Sequence, residues 1–177
     1  MPQNPLQKIK DEKLNFNYSI LVPIFNHCFW SRKRSQPVRD NQTYYLGIKA
    51  IIQNAQGAVL VLKSAGGYWD WPGGRIRFGE EPLEALLREV KEETGLENLS
   101  DIRADVMVLT TITIREPHHP PLGLILWYHT CHLDAASSPV LALSAEHIEA
   151  AWVEPLVAKN LTGLPDTVAP HIFKERP

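Results

Sequence analysis

Residues Gly74 to Leu96 read GRIRFGEEPLEALLREVKEETGL. At about 100° per residue on a helix, Leu83, Leu86, Leu87 and Val90 fall within one apolar arc, and Glu89 and Glu93 lie four residues apart beside it. Such a helix buries one face and aims two carboxylates at a neighbouring cleft. Glu92 sits one step round, within reach of Arg88, and Arg88 in turn follows Glu84 by four. Pro82 suits the first helical turn and Gly95 the residue just past the end. Glu81 is a weaker cap than Ser, Thr or Asp. Upstream, Pro72-Gly73-Gly74 followed by Gly79 predicts a loop whose backbone can approach a ligand closely.

Clustered hard oxygen donors suit Mg²⁺ or Mn²⁺ rather than zinc, which prefers Cys and His. Like charges crowded on one side of a helix repel unless a cation neutralises them. The bland alternative is a solvated acidic helix laced with ion pairs. That alternative has no need of Gly74, Glu80, Arg88 and Gly95 at set offsets. The segment matches the Nudix box, G-x5-E-x7-R-E-U-x-E-E-x-G-U with U a bulky aliphatic, at Gly74, Glu80, Arg88, Glu89, Val90, Glu92, Glu93, Gly95 and Leu96.

The chain thus resembles the Nudix hydrolases, closely in the box and more loosely over residues 44 to 160. The resemblance implies an α/β fold, an α/β/α sandwich with a mixed β-sheet flanked by helices, and Mg²⁺-dependent hydrolysis of a nucleoside diphosphate linked to another group. It also implies site roles: Glu89 and Glu93 as metal ligands assisted by Glu92, and Glu89 as general base oriented by Arg88. The Gly74 region would offer a backbone carbonyl to the metal, and Glu80 would partner the loop. A further acidic ligand is expected shortly before the strand that precedes the second helix. Glu146 and Glu149 both fit, with Glu146 preferred because Glu149 is close enough to that strand to form a structural ion pair.

The chemistry follows from charge. A pyrophosphate already carries negative oxygens, so a catalyst must screen them and raise the nucleophilicity of water; divalent ions do both. A carboxylate at Glu89 then takes the proton. No Ser-His-Asp or Cys-His pattern argues for covalent catalysis.

With 177 residues, 44% hydrophobic and 21% charged, the chain has the composition of a globular protein. A net charge of -2 offers no basic footprint for duplex nucleic acid. Cys28 and Cys131 are too few and too far apart for a disulfide framework or a cysteine metal site. No basic leader followed by a long apolar run is visible, and no stretch of about 18 apolar residues, so a cytoplasmic protein without membrane attachment is expected.

An N-terminal extension is expected over 1–43, the catalytic domain over 44–164 and an irregular tail over 165–177. Within the extension, Tyr18 to Trp30 is apolar and Arg32-Lys33-Arg34 basic, which reads as an element packing on the domain with a solvated turn. Tyr44 to Gln53 and Ala58 to Lys63 predict a hairpin, and Tyr68 to Trp71 a short strand. Ile102 to Ile114 predicts a long strand, and Leu122 to Leu133 its return across a loop holding Pro117, Pro120 and Pro121. Ala135 to Pro139 reads as a turn, Ala151 to Val153 as a short strand, and Pro155 to Asn160 as the start of a second helix.

Substrate readers are expected on the loops. Trp69 and Tyr68 are candidates to stack on a base, Trp71 reads as core, and Arg75 and Arg77 are candidates to contact phosphate or sugar. His118 and His119 sit in a surface loop able to close over a ligand. The expected partner is a nucleotide-derived small molecule, the expected assembly a monomer or homodimer. Two rival functions remain: a catalytically silent nucleotide-sensing module, and action on capped RNA through Arg32 to Arg34.

Overall fold

Alternation along one strand, β1 (Tyr44–Gln53), sets up a core with two sides. Ile48, Ala50 and Ile52 face one layer and Ile51 the other. The computed structural model describes residues 42–118, 120–133, 139–166 and 168–173. The expectations for the N-terminal segment up to residue 41, for His119 and for most of the turn at Ala135 to Pro139 lie outside them.

Beside β1 the sheet holds β2 (Val59–Ser64), β3 (Trp69–Asp70), β4 (Leu99–Ile114), β5 (Leu122–Leu133) and β6 (His147–Val153). Their order is β3-β2-β1-β5-β4, with β6 also paired to β2. β1 and β5 run parallel from Tyr44↔Gly123 to Gln53↔His132, while β4–β5 and β2–β6 are antiparallel. The sheet is therefore mixed.

The predicted hairpin is realised at its turn. There Asn54 Oδ1 accepts from the N–H groups of Gln56 and Ala58, both at 3.0 Å, and Gln53 pairs with Val59. Beyond the turn the edge of β1 belongs to the glycine loop instead. Ala50 N–H donates to Pro72 O and Ile48 N–H to Gly74 O, both at 2.8 Å, and Ile76 N–H donates to Leu46 O at 3.0 Å. A strand edge has one row of hydrogen-bonding groups, so the loop displaces β2 from it.

Helix α1 (Pro82–Thr94) covers one face, burying Ala85, Leu86 and Val90 against Ile48, Ala50, Ile52, Leu60 and Leu62. Leu83 and Leu87 pack at its margin. Each fully buried aliphatic side chain stabilises the sandwich by roughly 1.5–3 kcal/mol. The helix starts at Pro82 without a side-chain cap and ends at Gly95, whose φ of 74° lets its N–H turn back to Lys91 O.

The other face is covered by α2 (Pro155–Thr162) and α3 (Ala169–Ile172). Ala158, Leu164, Val168, Ala169 and Ile172 pack there on Ile51, Val59, Val61 and Trp71. Residues after Pro165, expected to be irregular, thus contribute a helical turn. Its formation depends on burial of Ala169 and Ile172, which four residues cannot advertise by periodicity. Together the layers make an α/β/α sandwich.

His129 on β5 is only 3% exposed, with its ring 4.9 Å from that of Trp127. Burial pulls its pKa down to about 4, partly offset by the Trp127 carbonyl. The folded protein therefore holds it neutral where the unfolded chain would protonate it, and this stability is lost as pH falls from about 6.5 towards 4. His129→Gln is expected to remove about 2 kcal/mol of the stability difference between pH 7.5 and pH 5, measured by urea unfolding at both. An unchanged difference would exclude His129 as its source.

Candidate active site

The glycine loop runs back along α1 and fastens to it and to the residues just before it. Gly73 N–H donates to Glu93 Oε2 at 2.8 Å; Arg88 Nη2 donates to Arg75 O at 3.3 Å; Arg77 N–H donates to Glu80 Oε2 at 2.9 Å. Between the first two, Gly74 lies so close to the helix that a Cβ there would sit 2.6 Å from the Glu89 carboxylate. Loop and acidic helix therefore share one cleft, and glycine is what permits it.

Arg88 is the hub of the helix surface. Its guanidinium grips Glu80 with two bonds, Nε–Oε1 at 2.6 Å and Nη2–Oε2 at 3.0 Å, and its Nη1 meets Glu89 Oε1 at 2.7 Å and Glu92 Oε2 at 3.2 Å. Glu84, four residues before it, is passed over. Glu80 offers both oxygens to the planar fork and is itself pinned by the Arg77 N–H, so it is the better partner. Arg88, then the Arg77 amide, holds the Glu80 carboxyl down at about 2.

Glu93 is in the opposite condition. Buried to 8% exposure, it has a pKa pushed up to about 7, first by desolvation and further by the charges of Glu89 and Asp70. The Gly73 N–H and Lys49 work against that rise. Lys49, on β1, places Nζ 2.7 Å from Asp70 Oδ2, 3.2 Å from Trp71 O and 3.3 Å from Gly73 O. It ties the end of β3 to the start of the loop.

The carbonyls of the loop alternate. Pro72 O and Gly74 O point into the β1 ladder, whereas Gly73 O is on the Lys49 side of the backbone. The cleft beside it, about 330 Å³, is lined by Lys49, Tyr68, Asp70, Glu93, Glu146 and His147. Of these, Lys49, Asp70 and His147 carry no spacing signal in the sequence; each arrives from a different strand.

Of the expected substrate readers, Trp69 is half-buried against the second core layer with Lys63 Nζ 5.5 Å from its ring centre. Trp71 is core at 2% exposure, and Tyr68 is 65% exposed at the cleft margin. Arg75 stacks over Tyr45 at 4.7 Å and pairs with Glu116 at 2.9 Å, and Tyr45 OH donates to Glu116 at 2.7 Å. Arg77 lies 3.6 Å from Glu92. His118 is exposed, with a φ of 68°. Glu146 lines the cleft and accepts the Ala65 N–H through its main-chain carbonyl, whereas Glu149 pairs with Lys63 at 3.2 Å.

The donor set fits a hard divalent cation. It consists of carboxylates and a carbonyl, and it includes a buried carboxylate whose ionisation is opposed by burial and by two like charges. Among the described residues no three carboxylate, imidazole or thiolate groups already converge on one point. Glu89 and Glu92 are drawn to Arg88 instead.

Fold and site together define a class: an α/β/α sandwich in which a glycine loop and an acidic helix enclose one cleft. The family model for the NUDIX domain matches residues 43–172, and the chain belongs to the Nudix hydrolase family. An RNA pyrophosphohydrolase of Hamiltonella defensa is 37% identical over 89 residues, 50% of this chain and 52% of that one. Nudix hydrolase 2 of Arabidopsis thaliana is 27% identical over 131 residues, 71% and 44% of the respective chains. The chain thus spans about half the length of these relatives. Among solved structures, a MutT protein from Methanosarcina mazei superposes with a TM-score of 0.55 at 27% identity, covering 73% of this chain and 91% of that one. An Ap4A hydrolase of C. elegans shares the fold, with a TM-score of 0.53 at 21% identity over 71% of this chain and 90% of that one. Among the described residues no helix is long and apolar enough to cross a membrane.

Proposed function

We propose that this domain hydrolyses a phosphoanhydride in a nucleoside diphosphate derivative by direct attack of water, with Mg²⁺ or Mn²⁺ held by Glu89, Glu93 and Glu92. Glu146 and the Gly73 carbonyl complete the set. Gly73 takes this role in place of Gly74 because Gly73 lines the cleft, whereas the Gly74 oxygen points into the β1 ladder towards Ile48. The observation that carries the reading is the closeness of loop and helix, with Gly73 N–H on Glu93 and Gly74 against Glu89.

A divalent cation, when bound, screens phosphate oxygens and lowers the pKa of water. Glu89 accepts the proton, and Arg88, anchored on Glu80, holds that carboxylate in place. Lys49 and Asp70 brace the loop. Tyr68, exposed beside the cleft, is the surface on which a base stacks, a role that the half-buried Trp69 fills less well. Arg77, 64% exposed on its side chain, gives up a 3.6 Å pairing with Glu92 to swing to phosphate, while Arg75 must leave Glu116 at 2.9 Å. The relative named RNA pyrophosphohydrolase supports phosphoanhydride chemistry.

The test is a screen of nucleoside triphosphates, nucleotide sugars, dinucleoside polyphosphates and RNA bearing a 5′ triphosphate, with products identified. Mg²⁺-dependent release of phosphate, pyrophosphate or nucleoside monophosphate is expected, and no release from any of them would favour the nucleotide-sensing alternative.

Glu93 gives a separate prediction. Its raised pKa means that, without metal, stability is lost as pH rises from about 4.5 through about 7. Glu93→Gln is therefore expected to stabilise the metal-free protein at pH 8 by roughly 1–3 kcal/mol in urea unfolding while weakening Mn²⁺ binding. Reduced stability with undiminished Mn²⁺ binding would remove Glu93 from the ligand set.

A further inference from the structure

The segment before β6 is fastened to two elements of the site. Ala142 N–H donates to Thr94 O at 3.0 Å and Ser144 N–H to Glu93 O at 3.3 Å, tying it to the end of α1. Ala65 N–H donates to Glu146 O at 3.0 Å, tying it to the loop between β2 and β3. A Cβ added to Gly95 would stand 3.0 Å from Ala142 Cβ, so the segment lies directly on the helix terminus. Its backbone is thereby held beside Glu93.

Where that segment enters β6, Ser144 and His147 close a tight turn. His147 N–H donates to Ser144 O at 3.2 Å, and Ser144 Oγ lies 3.3 Å from His147 Nδ1. The far nitrogen, Nε2, stands 3.9 Å from Glu93 Oε1, with the two side chains only 9% and 11% exposed. Glu93 Oε2 is already held by the Gly73 N–H. The carboxylate thus has a loop amide on one oxygen and an imidazole facing the other.

We infer that His147, oriented by Ser144, is a positioning residue for Glu93, steadying the carboxylate oxygen that Gly73 leaves free. This rests on the proposed role of Glu93 as a cation ligand. When the Ser144 hydroxyl donates to Nδ1, the neutral ring carries its proton on Nε2, the atom facing Glu93. At 3.9 Å this is an electrostatic contact rather than a hydrogen bond, strengthened by burial. Glu93 with both oxygens steadied presents one geometry to a cation; released on one side, it must be ordered anew at each binding event. Outer partners of ligating groups alter metal affinity or activity by about 10–100-fold.

The experiment measures Mn²⁺ binding to the metal-free protein by electron paramagnetic resonance, beside the Mg²⁺ half-saturation and the substrate KM. His147→Ala is expected to weaken Mn²⁺ binding by about 10-fold and to raise the Mg²⁺ half-saturation in step, with KM and thermal midpoint little changed. His147→Gln, whose amide N–H can face Glu93, is expected to restore part of the affinity. Ser144→Ala shifts it the same way by less. Should His147→Ala fail to fold, the Gln and Ser144 variants carry the test. Wild-type Mn²⁺ affinity in the foldable variants, or a loss matched only by a lower thermal midpoint, would overturn the role. Glu93→Gln separates the two claims: wild-type Mn²⁺ binding there sinks the ligand reading itself, whereas weakened binding there with no change at His147 sinks only the positioning role.

Discussion

Glu89→Gln is expected to lower kcat by about 10²–10⁴-fold, the size of a general-base contribution, at saturating Mg²⁺ and with KM little changed. Glutamine keeps the volume and one acceptor oxygen, so Arg88 Nη1, now 2.7 Å from Glu89 Oε1, retains a partner and the close pass of Gly74 is preserved. What is lost is the negative charge and the capacity to take a proton. Arg88 is also clamped on Glu80, so its position does not depend on Glu89. The unfolding curve should therefore move little while turnover collapses. Undiminished turnover in Glu89→Gln would remove this residue as the base.

The two glycines of the loop are expected to fail in different ways. At Gly73 the φ is 135°, and an added Cβ would lie 2.1 Å from Ile48 O, a main-chain atom of a fully buried residue. No rotamer relieves that clash, and the left-handed backbone is strained for any L side chain. Gly73→Ala is expected to cost roughly 3 kcal/mol or more and to detach the loop from β1, read as a lowered urea midpoint. At Gly74 the atoms in the way, 2.6–2.8 Å from the added Cβ, are the end of the flexible Glu89 side chain. Gly74→Ala can be accommodated by swinging Glu89 aside, so fold is retained and activity falls. Equal stability losses in the two variants would contradict this assignment of what each glycine is for.

Much of the architecture is legible because it is local. The apolar arc of α1 repeats at helical spacing, so Leu86 and Val90 are found inside, with Glu93 lining the cleft and Glu89 against Gly74. Strands β1 and β5 fall on the residues that their β-rich composition and flanking turns mark out. The pairing of Arg88 is less legible. Two acidic residues, Glu84 and Glu92, stand four positions from it, yet the strongest grip is on Glu80, eight residues away across the helix start. The loop determines this, since the Arg77 amide holds Glu80 in place for the fork. Arg75 is similar: read alone it is a phosphate contact, but Tyr45 on β1 and Glu116 in the loop after β4 enclose it.

By itself the sequence determined the acidic helix, its boundaries at Pro82 and Gly95, the glycines before it and hence the family, all features encoded by spacing within a single run of chain. Tertiary structure alone decided that Lys49, Asp70 and His147 meet Glu93, that Gly73 rather than Gly74 turns its carbonyl to the cleft side, and that residues 169–172 coil into the core. The physical reason is competition for hydrogen-bonding edges and buried area. The loop takes the edge of β1 that β2 leaves, and only that pairing fixes which way each carbonyl points. Helical periodicity repeats every few residues, whereas the outcome of such a contest depends on strands brought together from across the chain.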